Sequence, residues 1–241
     1  MRFKTYAILL AAGLGKRMND ITSDKVLAQL LGKPILRYSW EAFIASRIID
    51  VFVLVFRDKS QKINIIKTCN DLIKSTSIIW VQGGSQRQDS VLNAVKACIK
   101  NANNHTSYVH IHDAARPFIT VKIIQKIHQT ILVKKAAIVV RKVNETIQQV
   151  KKIKSLHGIY LKNLKRDTLW ITETPQSFSL KLIYKALNLV EKKNISITDD
   201  VTALEYLKHP VSFIENKNEN IKITYPKDLI YAKFISDQLY N

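Results

Sequence analysis

The sequence predicts an α/β fold: a mainly parallel sheet with helices on both faces and an antiparallel β-arm protruding from it. Three observations predict it. Short apolar runs rich in β-branched residues recur along the chain, as buried strands do. Between them lie segments whose apolar residues return at helical spacing. From about 141 to 171 this alternation gives way to short polar-alternating runs joined by lysine-rich connections.

Taken in order, strands are expected at 6–11, 51–56, 78–81, 108–112 and 136–140, with amphipathic helices at 34–46, 61–73, 89–101 and 121–133. Strand and helix alternating in this way give parallel strands with crossover helices. The arm is expected to carry strands at 146–150, 159–161 and 168–171. It has little core of its own, so a second subunit is the economical partner and a homodimer is expected. Helices at 180–190 and 200–207, strands at 211–214 and 221–224, and a last helix at 226–238 complete the chain. With no repeat or low-complexity linker, residues 1–241 read as a single domain with the arm inserted.

Composition narrows the class. The chain has 241 residues, 46% of them hydrophobic, enough for a sizeable core. No apolar run approaches the roughly 18 residues needed to cross a bilayer. Arg2 and Lys4 ahead of the apolar run at 6–12 imitate a short secretory signal, but the run ends in Gly-Leu-Gly-Lys-Arg rather than small neutral residues. Cys69 and Cys98 lack metal-site spacing, which fits a reducing compartment, and a cytoplasmic location is expected. The formal charge of +19 points to anionic partners without choosing among nucleic acid, membrane surface and small phosphates. The lysines are scattered with no long basic block, so neither nucleic acid nor membrane is expected as a partner.

In an open parallel sheet, ligands bind at the carboxyl ends of the strands. Four segments there carry suitable residues. In Leu10-Ala11-Ala12-Gly13-Leu14-Gly15-Lys16-Arg17-Met18, Gly13 and Gly15 allow backbone amides near a phosphate chain, with Arg17 and Lys25 as countercharges. The loop is no Walker A motif, since Lys16 is followed by Arg17, and no dinucleotide fingerprint, since Met18 stands where Gly or Ala is required. A Gly-x-Gly turn alone is equally a tight turn. In Gly83-Gly84-Ser85-Gln86-Arg87-Gln88-Asp89-Ser90, the glycines expose amides, Arg87 offers a fork, and Ser90 with those amides could read a base. In His110-Ile111-His112-Asp113-Ala114-Ala115-Arg116-Pro117, Asp113 is the best metal candidate, while His110 and His112 read as packed or hydrogen-bonded histidines. Finally, Thr174-Pro175-Gln176, Thr198-Asp199-Asp200 and Asn220-Ile221-Lys222-Ile223-Thr224 read as turn, helix cap and edge strand, or as a dock for an anionic second substrate.

Together the motifs "LAAGLGKRM", "GGSQRQDSV", "HDAARPF", "ETPQSF", "ITDDVTALE" and "NIKIT" resemble, in order, those of the 2-C-methyl-D-erythritol 4-phosphate cytidylyltransferase family, over about residues 6–230. The resemblance implies transfer of CMP from CTP to methylerythritol phosphate in isoprenoid precursor synthesis, with release of pyrophosphate. It also implies a Rossmann-like nucleotidyltransferase fold and Mg²⁺ as cofactor. Arg17 and Lys25 match the family's charge-stabilising pair. Ala11, Ala12, Gly13, Gly15, Gly84, Arg87, Ser90, Asp113 and Ala114 fall in the CTP-binding segments, with Asp113 also near the metal. Thr146 and Arg166, in an arm that crosses to the partner subunit, match substrate positions, as do Thr174, Thr198 and Lys222.

The chemistry agrees with this set. The acceptor is already an anion, so positioning and charge neutralisation matter more than a side-chain base. The sequence departs from the family at Asp24, where proline usually precedes the lysine, and at Ser85, where an acidic residue is common. Ribitol 5-phosphate cytidylyltransferase is the alternative with the same nucleotide. A basic nucleic-acid-binding protein is the alternative of another class, supported by charge alone.

Overall fold

A computed structural model of the protein describes residues 3–13, 15, 24–102, 106–151 and 160–240. The first strand, β1 (Thr5–Leu10), is the apolar run at the start of the chain. A small hairpin not foreseen in the sequence follows, β2 (Gln29–Leu30) with β3 (Lys33–Pro34). Helix α1 (Ile35–Ala45) starts where Pro34 fixes φ and buries Leu36, Trp40 and Phe43. Strand β4 (Val51–Phe56) leads to α2 (Lys59–Thr68), whose first turn is capped by the Asp58 carboxylate accepting from the Gln61 amide at 2.8 Å. The single helix expected at 61–73 is two: the chain breaks at Cys69, and α3 (Asn70–Ser75) follows. A tertiary contact accounts for the break. Arg37 of α1 donates to the Thr68 carbonyl and forks onto the Asp71 carboxylate at 2.7 and 2.6 Å, holding the end of one helix and the start of the next.

Strand β5 (Ile78–Gln82), helix α4 (Arg87–Asn101), strand β6 (Tyr108–Asp113), helix α5 (Val121–Lys134) and strand β7 (Ala136–Lys142) then alternate as expected. The arm carries β8 (Gln148–Lys151) and β9 (Tyr160–Asn163), an antiparallel pair separate from the main sheet. Val150 and Leu161 face each other across it, both more than half exposed.

The third arm strand expected at 168–171 is a correction. Thr168 closes a 3-10 turn, and Trp170 and Ile171 begin β10 (Trp170–Ser179), a main-sheet strand lying antiparallel between β6 and β7. It also absorbs Thr174-Pro175-Gln176, read from sequence as a turn. Pro175 removes a ladder donor, and the register shifts between Thr172 and Gln176. The strand's polar residues Glu173, Thr174 and Gln176 are buried, and each finds a partner inside.

Helix α6 (Leu180–Lys192) is followed by the four-residue α7 (Thr202–Glu205), shorter than the 200–207 expected, then strand β11 (Ser212–Glu215) and helix α8 (Pro226–Tyr240). The strand expected at 221–224 is irregular. One backbone bond, from the Ile223 amide to the Ala115 carbonyl, holds it instead of a ladder.

The main sheet runs β11-β7-β10-β6-β1-β4-β5, parallel except at β10. Tyr6 and Ile8 of β1 pack on the face covered by α4 and α6, while Ala7 and Leu9 pack on the face covered by α1 and α5. That explains the continuous apolar run: both faces of the strand are covered. A third cluster joins Ala28, Leu30 and Ile35 to Leu229, Ala232 and Ile235 of α8, so the last helix braces the segment after Lys25.

Candidate active site

The carboxyl ends of β1, β4, β5 and β6 border a cleft of about 350 Å³, within the range of small-molecule sites. Ala11, Ala12 and Gly13 line it after β1, together with Lys25 and Arg57. Lys25 lies along Gly13, where an added Cβ would stand 3.8 Å from Cε and 4.0 Å from Nζ. Gly15 has φ +61°, a left-handed conformation suited to glycine. Arg17 lies outside the described residues.

Gly84, Arg87 and Ser90 also line the cleft, but the two glycines act differently from the amide-presenting role read in the sequence. The Gly83 amide donates to the Phe56 carbonyl, and the Gly84 amide to Ser90 Oγ at 3.0 Å. The Ser90 hydroxyl in turn donates to the Gln86 carbonyl. What these glycines supply is close approach. A Cβ at Gly83 would come within 2.6 Å of the Ala12 Cβ, and one at Gly84 within 2.2 Å of the Asp89 Cβ.

Asp113, the last residue of β6, gathers cations. Lys222 Nζ lies 2.7 Å from Oδ2, Arg87 Nε 3.4 Å from Oδ1, and Arg116 Nε 3.9 Å from Oδ2. Burial works to raise its pKa, but Arg87, Lys222 and Arg116 outweigh burial and hold the carboxyl well below the usual range. The other arms of Arg87 fork onto fully buried Asp200, both bonds at 2.8 Å. Arg87 thus presents its edge to the cleft from a fixed orientation.

A chain of hydrogen bonds holds the backbone at Asp113. Burial lowers the His112 pKa to about 4, so the ring is neutral near pH 7. Its Nε2 meets the Arg116 carbonyl at 3.1 Å and must carry the proton, leaving Nδ1 to accept from the Thr174 hydroxyl at 3.0 Å. Thr174 Oγ1 then accepts from the Asp113 amide at 3.1 Å. The Thr174 hydroxyl proton is therefore engaged beneath Asp113. His110 is packed as the sequence suggested, between Ser177 at 2.7 Å and His128 at 3.2 Å.

Lys222 reaches the cleft because a buried network holds its segment. Glu173 accepts from Asn216 and Asn220 at 3.1 and 3.2 Å, Asn220 also donates to the Thr174 carbonyl, and Arg116 donates to the Asn220 carbonyl.

Other residues singled out in the sequence lie elsewhere. Ala114 is buried, with its amide bonded to the Leu10 carbonyl, and Ala115 lines the cleft in its place. Thr146, Arg166 and Thr198 are exposed and do not line it. Arg166 donates to the Asn144 carbonyl across the base of the arm. Among the described residues no cluster of three or more His, Cys, Asp or Glu forms a metal cage. Sequence reading missed Arg57, Arg116, Glu173 and Asp200. Arg57 carried a usable signal, being the first polar residue after a buried strand. The partners of Glu173 and Asp200 are remote in the chain and gave none.

A sequence profile described as 2-C-methyl-D-erythritol 4-phosphate cytidylyltransferase matches residues 5–238. A protein of that name from Clostridium botulinum strain Okra is 40% identical over 98% of this chain and 99% of its own length. The crystal structure of the enzyme of that name from Francisella tularensis aligns over 96% of this chain and 99% of its own, at 28% identity and a TM-score of 0.76. The 4-diphosphocytidyl-2C-methyl-D-erythritol synthase of Anaerococcus prevotii, 24% identical, shares the fold with a TM-score of 0.80 over 98% of this chain and 96% of its own.

Proposed function

Because the chain belongs to the 2-C-methyl-D-erythritol 4-phosphate cytidylyltransferase family, and so transfers CMP from CTP to that alcohol phosphate in isoprenoid precursor synthesis, we propose that the cleft at the ends of β1 and β6 is where transfer occurs. One observation carries this reading: Gly13, Lys25, Gly84, Arg87, Ser90, Asp113 and Lys222, from five separate stretches of sequence, line a single cleft.

In the proposed reaction a phosphate oxygen of the acceptor attacks the α-phosphorus of CTP. The bond to the bridging oxygen breaks, and pyrophosphate leaves with the electron pair. No proton need leave the nucleophile, so the protein's task is to bring anions together and offset their repulsion. Lys25, with Arg17, neutralises charge on the triphosphate. Lys222 and the edge of Arg87, held by Asp113, add positive potential at the other end of the cleft lining. The tight turn of Gly83 and Gly84, the backbone of Ala11, Ala12 and Gly13, and the remaining lone pair of Ser90 shape the nucleotide pocket.

A divalent cation, with Mg²⁺ as the natural choice, suits this site. Mg²⁺ usually takes one or two carboxylates and completes its shell with substrate phosphates and water. Among the described residues, Asp113 Oδ1 has only the long Arg87 contact and retains an acceptor site. Asp113 would hold the ion, which supplies charge neutralisation at the phosphates. Chelation should abolish pyrophosphate release, and added Mg²⁺ should restore it.

Exposed Val150 and Leu161 on the arm support its seating on a second subunit, which would bring Thr146 and Arg166 to the partner's acceptor site. Thr198 would join the acceptor side from the loop before Asp200. We assign the whole chain to one domain with the arm at about 141–171. The two free, buried cysteines fit a cytoplasmic protein. The test is a pyrophosphate-release assay offering methylerythritol phosphate and ribitol 5-phosphate with CTP. Turnover is expected with the first, and preference for the second would overturn the acceptor assignment.

A further inference from the structure

Asp24, immediately before Lys25, is 7% exposed. Its Oδ2 accepts from Gln61 Nε2 at 2.6 Å and lies 3.5 Å from Arg57 Nη2, while Oδ1 accepts from the Val26 amide at 3.3 Å. Gln61, at 1% exposure, also donates to the Ala11 carbonyl at 3.0 Å and accepts from the Arg57 amide at 2.6 Å. Arg57 Nε is held by Asp58, the residue that caps α2. One small cluster thus ties together the end of β1, the end of β4, the start of α2 and the turn that carries Lys25. That turn is otherwise closed by backbone bonds from Leu27 to Asp24 and from Ala28 to Lys25.

The cluster answers a chemical problem. A carboxylate beside a lysine that must meet phosphate is a competing anion, and here two amides and a guanidinium engage it. The bonds that engage it also fix the backbone from which Lys25 leaves. We propose that Asp24, Gln61 and Arg57 form a positioning cluster for Lys25, setting its ammonium against the triphosphate and acting on turnover more than on nucleotide binding. This rests on the reading of Lys25 as a charge-neutralising residue.

Steady-state kinetics of Asp24→Ala, Lys25→Ala and the double variant test it. A misplaced catalytic group costs up to ~100-fold in rate. Asp24→Ala should therefore lower kcat ~10- to 100-fold with KM for CTP changed less than about threefold, and Asp24→Asn, which keeps an acceptor for Gln61, should recover part of the loss. In the Lys25→Ala background, Asp24→Ala should have no further effect, because a group acting through Lys25 loses its influence once Lys25 is gone. Unchanged kcat in Asp24→Ala beside a crippled Lys25→Ala overturns the cluster and leaves the Lys25 reading intact. Unchanged kcat in Lys25→Ala overturns that reading instead. Full additivity in the double variant means the cluster acts independently of Lys25 and also overturns the proposal. Should Asp24→Ala fail to fold, Asp24→Asn and Arg57→Gln, each alone and with Lys25→Ala, give the same comparison.

Discussion

Asp113 and Asp24 are both buried carboxylates next to a lysine of the same cleft, yet their acidities move in opposite directions. Asp113 has three cations, at 2.7, 3.4 and 3.9 Å, and they outweigh its burial. At Asp24 the Arg57 guanidinium stands 3.5 Å away and Gln61 donates at 2.6 Å, yet burial is the larger influence and pushes the pKa up. Burial acts the same way on both: at Asp113 the surrounding cations outweigh it, and at Asp24 it outweighs Arg57. The end of β6 is therefore an electrostatically satisfied centre, while the Lys25 turn carries a charge that the fold tolerates at some cost.

Removing Asp113 should break this comparison most severely. Asp113→Ala takes from Lys222 and Arg87 their shared anion; Lys222 is partly exposed and Arg87 keeps its fork on Asp200, so the loss should be about 1.5–3 kcal/mol, the worth of a hydrogen bond to a charged group. Denaturant melts should show that loss, and turnover should fall by at least ~1,000-fold, since both the binding geometry and the fold suffer. Lys25→Ala ranks next and separates the two properties. Loss of one preorganised charge at a transition state costs ~100- to 1,000-fold in kcat, while the melting temperature should stay within ~3 °C of wild type. A large drop in melting temperature for Lys25→Ala would show that the turn is as structural as the β6 centre.

Acid should strike the β6 side first. Burial lowers His112 from 6.5 to about 4, and burial followed by His128 lowers His110 from 6.5 to about 3. The unfolded chain binds protons on these rings below pH 6.5 that the folded chain refuses, so stability should fall as pH drops from 6.5 toward 4. For Asp113 the lowered folded pKa contributes stability above its ordinary value of 3.8, and this is lost only below that, as pH falls toward the folded value. Urea midpoints measured from pH 7 to 4 should decline steadily; a flat profile would contradict neutral buried histidines.

The difference between the two regions also sets how much could be read from the sequence. Strands β1, β4, β5, β6 and β7 were legible because covered strands in a parallel sheet must be apolar throughout. β10 was not, because its centre is polar and contains Pro175, and burial is made tolerable by Asn216, Asn220, His112 and residue 199–201 partners far away in the chain. Lys25, Asp113 and Lys222 stood in recognisable motifs. The role of Arg87 as a fork on Asp200, 113 positions away, could not be seen in any local pattern. Asp24 was visible as a departure from the family, but its partners Gln61 and Arg57 lie in a different helix and loop.

The smallest expected effect is the sharpest discriminator between the two carboxylates. A folded-state pKa raised by burial means that the charged form of Asp24 is less favourable in the folded than in the unfolded chain. Its contribution to stability is present below the ordinary value of 3.8 and is lost as pH rises through the folded value, so at neutral pH the ionised group burdens the fold. Asp24→Asn removes the charge while keeping an oxygen for Gln61. Its melting temperature at pH 7 should therefore equal or exceed wild type, by up to ~3 °C, whereas Asp113→Asn should lower it. If Asp24→Asn is destabilising by as much as Asp113→Asn, the Arg57 contact is worth more than burial costs, and the opposition between the two carboxylates fails. If it gains stability while losing turnover, the buried charge is retained for the position of Lys25 rather than for the fold.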